Sequence, residues 1–175
     1  MMRNEHVSSG DNLELVNAQN RYRVRKPAIL AFAQNLHGFL RLGKKKFNVC
    51  LVDDLAIRRL NQTFRGLDKP TDVLSFPWNE AWGGTTIAQR TRRWPRRCRE
   101  FANFLGEVVI SVETARRNAA EEGHSLLNEI RWLVLHGVLH LLGYDHERDS
   151  GEMTSLELDL REQLETSNRR PRRRR

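Results

Sequence analysis

Apolar residues along this chain come in two rhythms, short strand-like runs and longer stripes at three-and-four spacing, and the two rhythms take turns. Residues 13–16 predict a first strand. After Pro27, the stripe Ile29, Leu30, Phe32, Ala33, Leu36, Phe39 and Leu40 predicts an amphipathic helix that Gly43 ends. Residues 46–52 read as a strand, with Asp53 as the N-cap of a helix that carries Leu55, Leu60 and Phe64 and stops at Gly66. Residues 72–76 and 107–112 read as two more strands, the second rich in β-branched residues. A helix follows over 113–122, Gly123 breaks it, and Ser125 caps a further helix whose residues 130–142 are almost wholly apolar. The last helix is predicted over 152–166, with Met153, Leu156, Leu160 and Leu164 on one side. This alternation, free of internal repeats, predicts a single α+β domain, or an α/β one, with one central mixed β-sheet packed by helices.

The 175 residues suit one domain able to bury about two-thirds of the surface it exposes when unfolded, so no disulfide staple is required. Cys50 sits in an apolar run and Cys98 among arginines, and both read as free thiols of a reducing compartment. The N-terminal stretch has no apolar signal-peptide core, and no segment approaches the roughly 18 apolar residues of a membrane span. A cytoplasmic protein without a membrane partner is expected.

The formal net charge of +8 is unevenly placed. Six arginines lie between positions 169 and 175, and six more against one glutamate between 81 and 100, which leaves the rest of the chain net negative. The boundaries that follow are a disordered leader over 1–11, a globular domain over 12–166 with a basic insertion at about 79–104, and a disordered basic tail over 167–175. Arginine-rich appendages favour an RNA partner through salt-dependent phosphate contacts that are indifferent to sequence, and the plainer reading is a solubilising tail and a solvated loop. Arg92, Arg93, Arg96 and Arg97 are the candidate RNA contacts of the insertion. Trp78, Trp82 and Trp94 suit either stacking on unpaired bases or packing the loop onto the body.

The densest chemistry lies in the run His136-Gly-Val-Leu-His140-Leu-Leu-Gly-Tyr-Asp-His146. Four residues apart on a helix, His136 and His140 present their rings on one face, one turn above the other. Polar rings in so apolar a helix need partners that their neighbours do not offer, and a metal ion is the natural one; unconnected core or surface histidines are the plain alternative. Gly143 permits the positive φ that ends the helix and lets the chain return His146 to the same point. Three nitrogen ligands with an open fourth position are the pattern of a catalytic zinc, one ion per chain. The spacing is also that of the metzincin proteases, whose first histidine is followed by the glutamate that activates water. Here that position is Gly137, so a metal site is expected without peptidase chemistry.

The same run resembles the signature of the YbeY family, bacterial metal-dependent endoribonucleases associated with ribosomal RNA maturation and ribosome quality control. A second block, Asn61-Gln-Thr-Phe-Arg65-Gly66-Leu-Asp68-Lys-Pro70-Thr71-Asp72-Val73-Leu74-Ser75-Phe76-Pro77, is similar to that family's other signature. Leu105-Gly106-Glu107-Val108-Val109-Ile110-Ser111 resembles the strand that follows it, and Met153 and Glu157 trail the histidines. The likeness covers roughly residues 46–78 and 105–160. It departs at Glu107, where the family pattern has Asp, and in the long basic segment after Pro77. The resemblance implies a zincin-like metal helix at the centre of the domain, Zn2+ on His136, His140 and His146, and single-strand-specific cleavage of ribosomal RNA, notably at the 16S 3′ end. It further implies the small ribosomal subunit and its proteins as partners, and no DNA.

Phosphodiester cleavage builds negative charge in the transition state, which a guanidinium offsets with planar, bidentate hydrogen bonds. Arg65, at a helix end and matching the arginine of the family's Asn-x3-Arg-Gly motif, is the catalytic candidate beside His136. Pairing with Asp68 or Asp72 at the surface is its plainer role. Thr71, Asp72 and Ser75 are expected to position that loop, by bonding the turn or by touching substrate. Glu129, seven residues before His136, is either an orienter of that ring or a carboxylate favoured in a first helical turn. Asp145 suits an imidazole partner or a turn equally. No residue reads as the general base, so attack by water and by the 2′-hydroxyl of RNA both stay open. His6, His37 and His124 read as surface, and Trp132 as core. Two other function classes remain: a metallohydrolase of another substrate, which leaves the arginines unexplained, and a non-catalytic ribosome-assembly factor whose metal holds the fold.

Overall fold

The computed structural model describes residues 5–8, 13–78, 103–145 and 149–169. Along them run β1 (Glu5–Ser8), β2 (Leu13–Asn17), α1 (Lys26–Phe39), β3 (Lys46–Val52), α2 (Asp54–Arg65), β4 (Val73–Pro77), β5 (Phe104–Ser111), α3 (Val112–Glu121), α4 (Leu126–Leu142) and α5 (Glu152–Arg169). The strands form one mixed sheet in the order β1-β2-β3-β5-β4. β2, β3 and β5 are parallel, and β1 and β4 run antiparallel at the two edges. This is the α+β architecture that the alternating rhythms predict.

The inner strands are apolar because both their faces meet other elements. Leu15, Phe47, Val49, Leu51, Val108 and Ile110 point to one side and are closed to solvent. There they meet Ile29 and Leu36 of α1, Leu135, Val138 and Leu139 of α4, and Met153 and Leu164 of α5, which together form the main core. On the other face, Ile57 of α2 packs with Val52, Leu74 and Val109.

The helix boundaries are set locally. Asp53 accepts a hydrogen bond from the Ala56 amide at 2.8 Å, and the hydroxyls of Ser111 and Ser125 accept from the amides of Thr114 and Asn128. Gly66 and Gly143 end α2 and α4 in the left-handed conformation. Some boundaries differ from expectation. α1 stops before Gly43, with Arg41 at φ 50°, because the burial of Leu42 in the main core turns the chain out of the helix. Val112, read as the end of a strand, opens α3 once Ser111 caps that helix. The leader expected to be disordered contributes β1, held by pairing with β2 that sets Val7 opposite Leu15. α5 continues to Arg169, into the stretch read as tail. Among the described residues no helix is long and apolar enough to cross a membrane.

Candidate active site

α4 lies so close on the sheet that the residue at its crossing point has no room for a side chain. A Cβ at Gly137 would come within 2.5 Å of Val108 Cγ1 and 3.1 Å of Ser75 Oγ. Ser75 of β4 also donates its hydroxyl proton to the Gly137 carbonyl at 3.1 Å, fastening helix to strand. The position that carries a glutamate in the metzincin proteases is therefore closed by packing as well as by residue identity.

On either side of Gly137 along the helix, His136 and His140 turn their Nε2 atoms toward each other, 3.0 Å apart, with the rings inclined at 75°. Two nitrogens on one tetrahedral zinc at about 2.0–2.1 Å stand about 3.3 Å apart, so this pair is spaced nearly as a shared ion requires. The other nitrogen of His136, Nδ1, lies 3.0 Å from Oε2 of Glu157 on α5. Arg161, one turn further along α5, pairs with the second oxygen of Glu157. Burial pushes the Glu157 carboxyl up, but the His136 hydrogen bond and the Arg161 charge outweigh it and hold the group below the usual glutamate value. A carboxylate accepting from Nδ1 fixes the tautomer whose Nε2 lone pair faces the cleft, which is the state a metal ligand needs. Among the described residues no three His, Cys, Asp or Glu side chains surround one point. His146, the third expected ligand, lies outside the described residues.

The orienter is thus Glu157 and not Glu129. Seven residues put Glu129 on the same face as His136 but about 10 Å away along the axis. There its carboxylate sits in the first turn of α4 and pairs with Nε2 of His124 at 3.2 Å. Burial pushes that carboxyl up, against the pull of His124 and a hydrogen bond from Asn118. His124, read as plain surface, is half-buried by this contact. The sequence does hold a signal for Glu157. It falls on the apolar stripe of α5, four residues after Met153 and three before Leu160, and a carboxylate on a buried stripe needs a partner.

Arg65 ends α2 and faces the histidines across a cleft of about 490 Å³, lined also by Thr71, Asp72, Ser75, Tyr144 and Asp145. The surface pairing weighed for Arg65 with Asp68 is made instead by Arg58, through bonds of 2.7 and 2.8 Å. Asp72 serves the turn: its side chain accepts from its neighbour's amide at Val73 and from the Thr71 hydroxyl, and its second oxygen from Asn118. Asp145 lines the cleft and accepts the Asp149 amide on its carbonyl at 2.9 Å. Tyr144 stands exposed at the cleft's mouth.

The remaining candidates divide. Trp132 is half-buried, with Arg161 5.0 Å over its ring and Phe32 at its edge, and Trp78 stacks edge-on against Phe104. His37 bonds the Lys45 carbonyl through Nε2. The proposed RNA contacts Arg92, Arg93, Arg96 and Arg97, together with Trp82, Trp94 and Cys98, lie outside the described residues.

Residues 11–165 match the family model described as Endoribonuclease YbeY. The chain is 44% identical over 141 residues to the Endoribonuclease YbeY of Aquifex aeolicus, covering 81% of this chain and 82% of that protein. It is 40% identical over 135 residues to the protein of that description from Bradyrhizobium, covering 76% and 72%. Among solved structures, the solution structure of TM1509 from Thermotoga maritima is similar with a TM-score of 0.57 and 26% identity, over 93% of this chain and 99% of that one.

Proposed function

Because this chain belongs to the YbeY family of endoribonucleases, we propose that it cleaves single-stranded ribosomal RNA with the help of one zinc ion, in maturation of the 16S 3′ end and in ribosome quality control. The reading places it in the cytoplasm, with ribosomal RNA and the small ribosomal subunit as partners. The observation that carries it is the convergence of His136, His140 and Arg65 on one cleft, with the Nε2 atoms of the histidines 3.0 Å apart.

His136, His140 and His146 would hold the ion, which when bound supplies Lewis acidity and lowers the pKa of water. The protein's own groups account for the rest. Glu157 accepts a hydrogen bond from Nδ1–H of His136 and keeps that ring oriented. Arg65 donates to the non-bridging oxygens of the scissile phosphate, where its planar fork matches the charge that develops in the transition state. Gly137, packed on Val108, leaves no carboxylate at the position that follows His136 in the chain, and Glu157 is engaged on the far nitrogen of that ring, so the nucleophile's proton must leave by another route. The product ends distinguish the nucleophiles: a 2′,3′-cyclic phosphate marks the 2′-hydroxyl of RNA, and a linear phosphate without it marks water.

The test is cleavage of a ribosomal RNA fragment by metal-analysed protein, comparing the parent with His136→Ala and Arg65→Ala. Both variants are expected to fold and bind RNA, with kcat down about 10²–10³-fold for Arg65→Ala. A fully metallated parent that binds RNA and never cuts it would replace this reading with that of an assembly factor.

A further inference from the structure

A separate hollow of about 750 Å³ lies between the starts of α2 and α3. Its walls carry Arg21, Arg58, Arg116 and Arg117 against two carboxylates, Asp54 and Glu113. The two kinds of charge are layered. Glu113 is buried and accepts both the Asp54 amide at 2.8 Å and the guanidinium of Arg21. Asp54 is half-buried and accepts from the hydroxyls of Ser111 and Thr114 at 2.6 and 2.7 Å and from Arg117 at 2.8 Å. All four arginines are exposed. The two lining carboxylates therefore face inward, tying helix starts together, and the guanidiniums face out, that of Arg58 paired with the exposed Asp68.

Each guanidinium keeps donors in hand. An arginine has five N–H groups. Arg21 and Arg117 each reach their carboxylate through one terminal nitrogen, and Arg58 gives Nε and Nη2 to Asp68. Arg116 lies 5.0 Å over the ring of Tyr22, and no carboxylate pairs with it among the described residues. A flat cation stacked on an aromatic ring is a surface on which a nucleobase also stacks.

The hollow adjoins the catalytic cleft. Pro70 lines the first, and Thr71 and Asp72, next in the chain, line the second. α2 links them as well: Arg58 and Arg65 are seven residues apart, hence on one helix face and about 10 Å from each other. A strand held by its phosphates at Arg58 and Arg116 reaches Arg65 within a few nucleotides. An acidic protein segment would satisfy the same charges but not the stacked ring or the continuity with a phosphodiester site.

We propose that this arginine-lined hollow binds the phosphate backbone of single-stranded RNA and leads it into the histidine cleft. The proposal rests on the endoribonuclease reading and adds to it the place where substrate outside the scissile bond is held. Its test is fluorescence anisotropy of a labelled, 2′-O-methylated single-stranded RNA 12-mer with the full chain across a salt series. Arg58→Ala combined with Arg116→Ala is compared with the parent, with the double lysine substitution at the same two positions, and with Lys44→Ala combined with Lys45→Ala as an exposed control. The alanine pair is expected to raise Kd about tenfold and to flatten the log-log salt slope by about 1.4, at ~0.7 per phosphate contact. The lysine pair recovers much of the loss, the control stays within about twofold, and KM for the unmodified 12-mer rises while kcat holds. Unchanged binding by the alanine pair overturns the proposal, as does an equal loss in the Lys44 and Lys45 control or displacement of the RNA by polyglutamate at equal charge. Failure of the parent to cut the unmodified RNA while binding it would instead remove the nuclease reading, and the salt series would still judge the hollow.

Discussion

Glu157 reaches back twenty-one residues to set its Oε2 3.0 Å from Nδ1 of His136. The two residues lie on different helices, and the bond gives a ring on an apolar helix a fixed tautomer and direction. With Arg161 on its other oxygen, the carboxylate stays charged despite being buried.

Replacing Glu157 with Gln keeps the shape and removes the charge. Zinc affinity is expected to fall about 10–100-fold, the range for loss of a carboxylate behind a ligating histidine. Competition with a chromophoric chelator measures it. An unchanged affinity would reduce Glu157 to a link between α4 and α5.

Gly137→Ala gains about 1 kcal/mol of helix propensity and forces a methyl group into Val108, at a cost of about 1–3 kcal/mol. Net destabilisation is expected in urea unfolding. Because the two closest approaches, 2.5 and 2.9 Å, are both to Val108, with Ser75 Oγ at 3.1 Å, Val108→Ala in the same molecule should relieve part of the clash, and the coupling between the two substitutions is the diagnostic quantity. Strict additivity would show that the crossing is looser than described.

Asp54 supplies a pH signature. Burial raises its carboxyl, but the bonds from Ser111, Thr114 and Arg117 outweigh burial and hold it below the ordinary 3.8. A group depressed in the folded state contributes stability that is present above its unfolded value and is lost as pH falls through the folded one. The stability advantage of the parent over Asp54→Asn is therefore expected to be flat from about pH 7 to 5 and to shrink below about pH 4. Urea midpoints across that range measure it, and an advantage that grows toward acid would contradict the network.

Cys50 tests the side of the sheet that α2 packs against. Burial and then the nearby Glu107 charge push its thiol up to about 11. At pH 8 about one molecule in a thousand is then thiolate, so iodoacetamide labelling in a Cys98→Ser background should be roughly a hundredfold slower than for a thiol at 9.0. The rate should rise about tenfold per pH unit toward 11. Fast labelling at neutral pH would mean that Cys50 opens to solvent more readily than its position between Val16 and Val109 allows.

What could be read in the chain was whatever neighbours decide among themselves. Asp53, Ser125 and Gly143 mark helix ends because caps and left-handed turns are made within a few residues. His136 and His140 face together because four residues make one helical turn. The edge strand Glu5–Ser8 escaped that reading, since its hydrogen bonds go to β2 and its own residues do not announce a partner.

The sequence by itself therefore determined the order of elements, the apolar faces, the histidine pair and, through the family motif, Arg65. Only the tertiary structure decided that Glu157 and not Glu129 orients His136, that Val108 forbids a side chain at Gly137, and that four scattered arginines meet in one hollow of a body whose formal charge is negative. The reason is range. A cap or a helical face depends on a few consecutive residues. The separation of α4 from β5, and the meeting of Arg21 and Glu113 across ninety-two positions, depend on how the whole sheet stacks its helices.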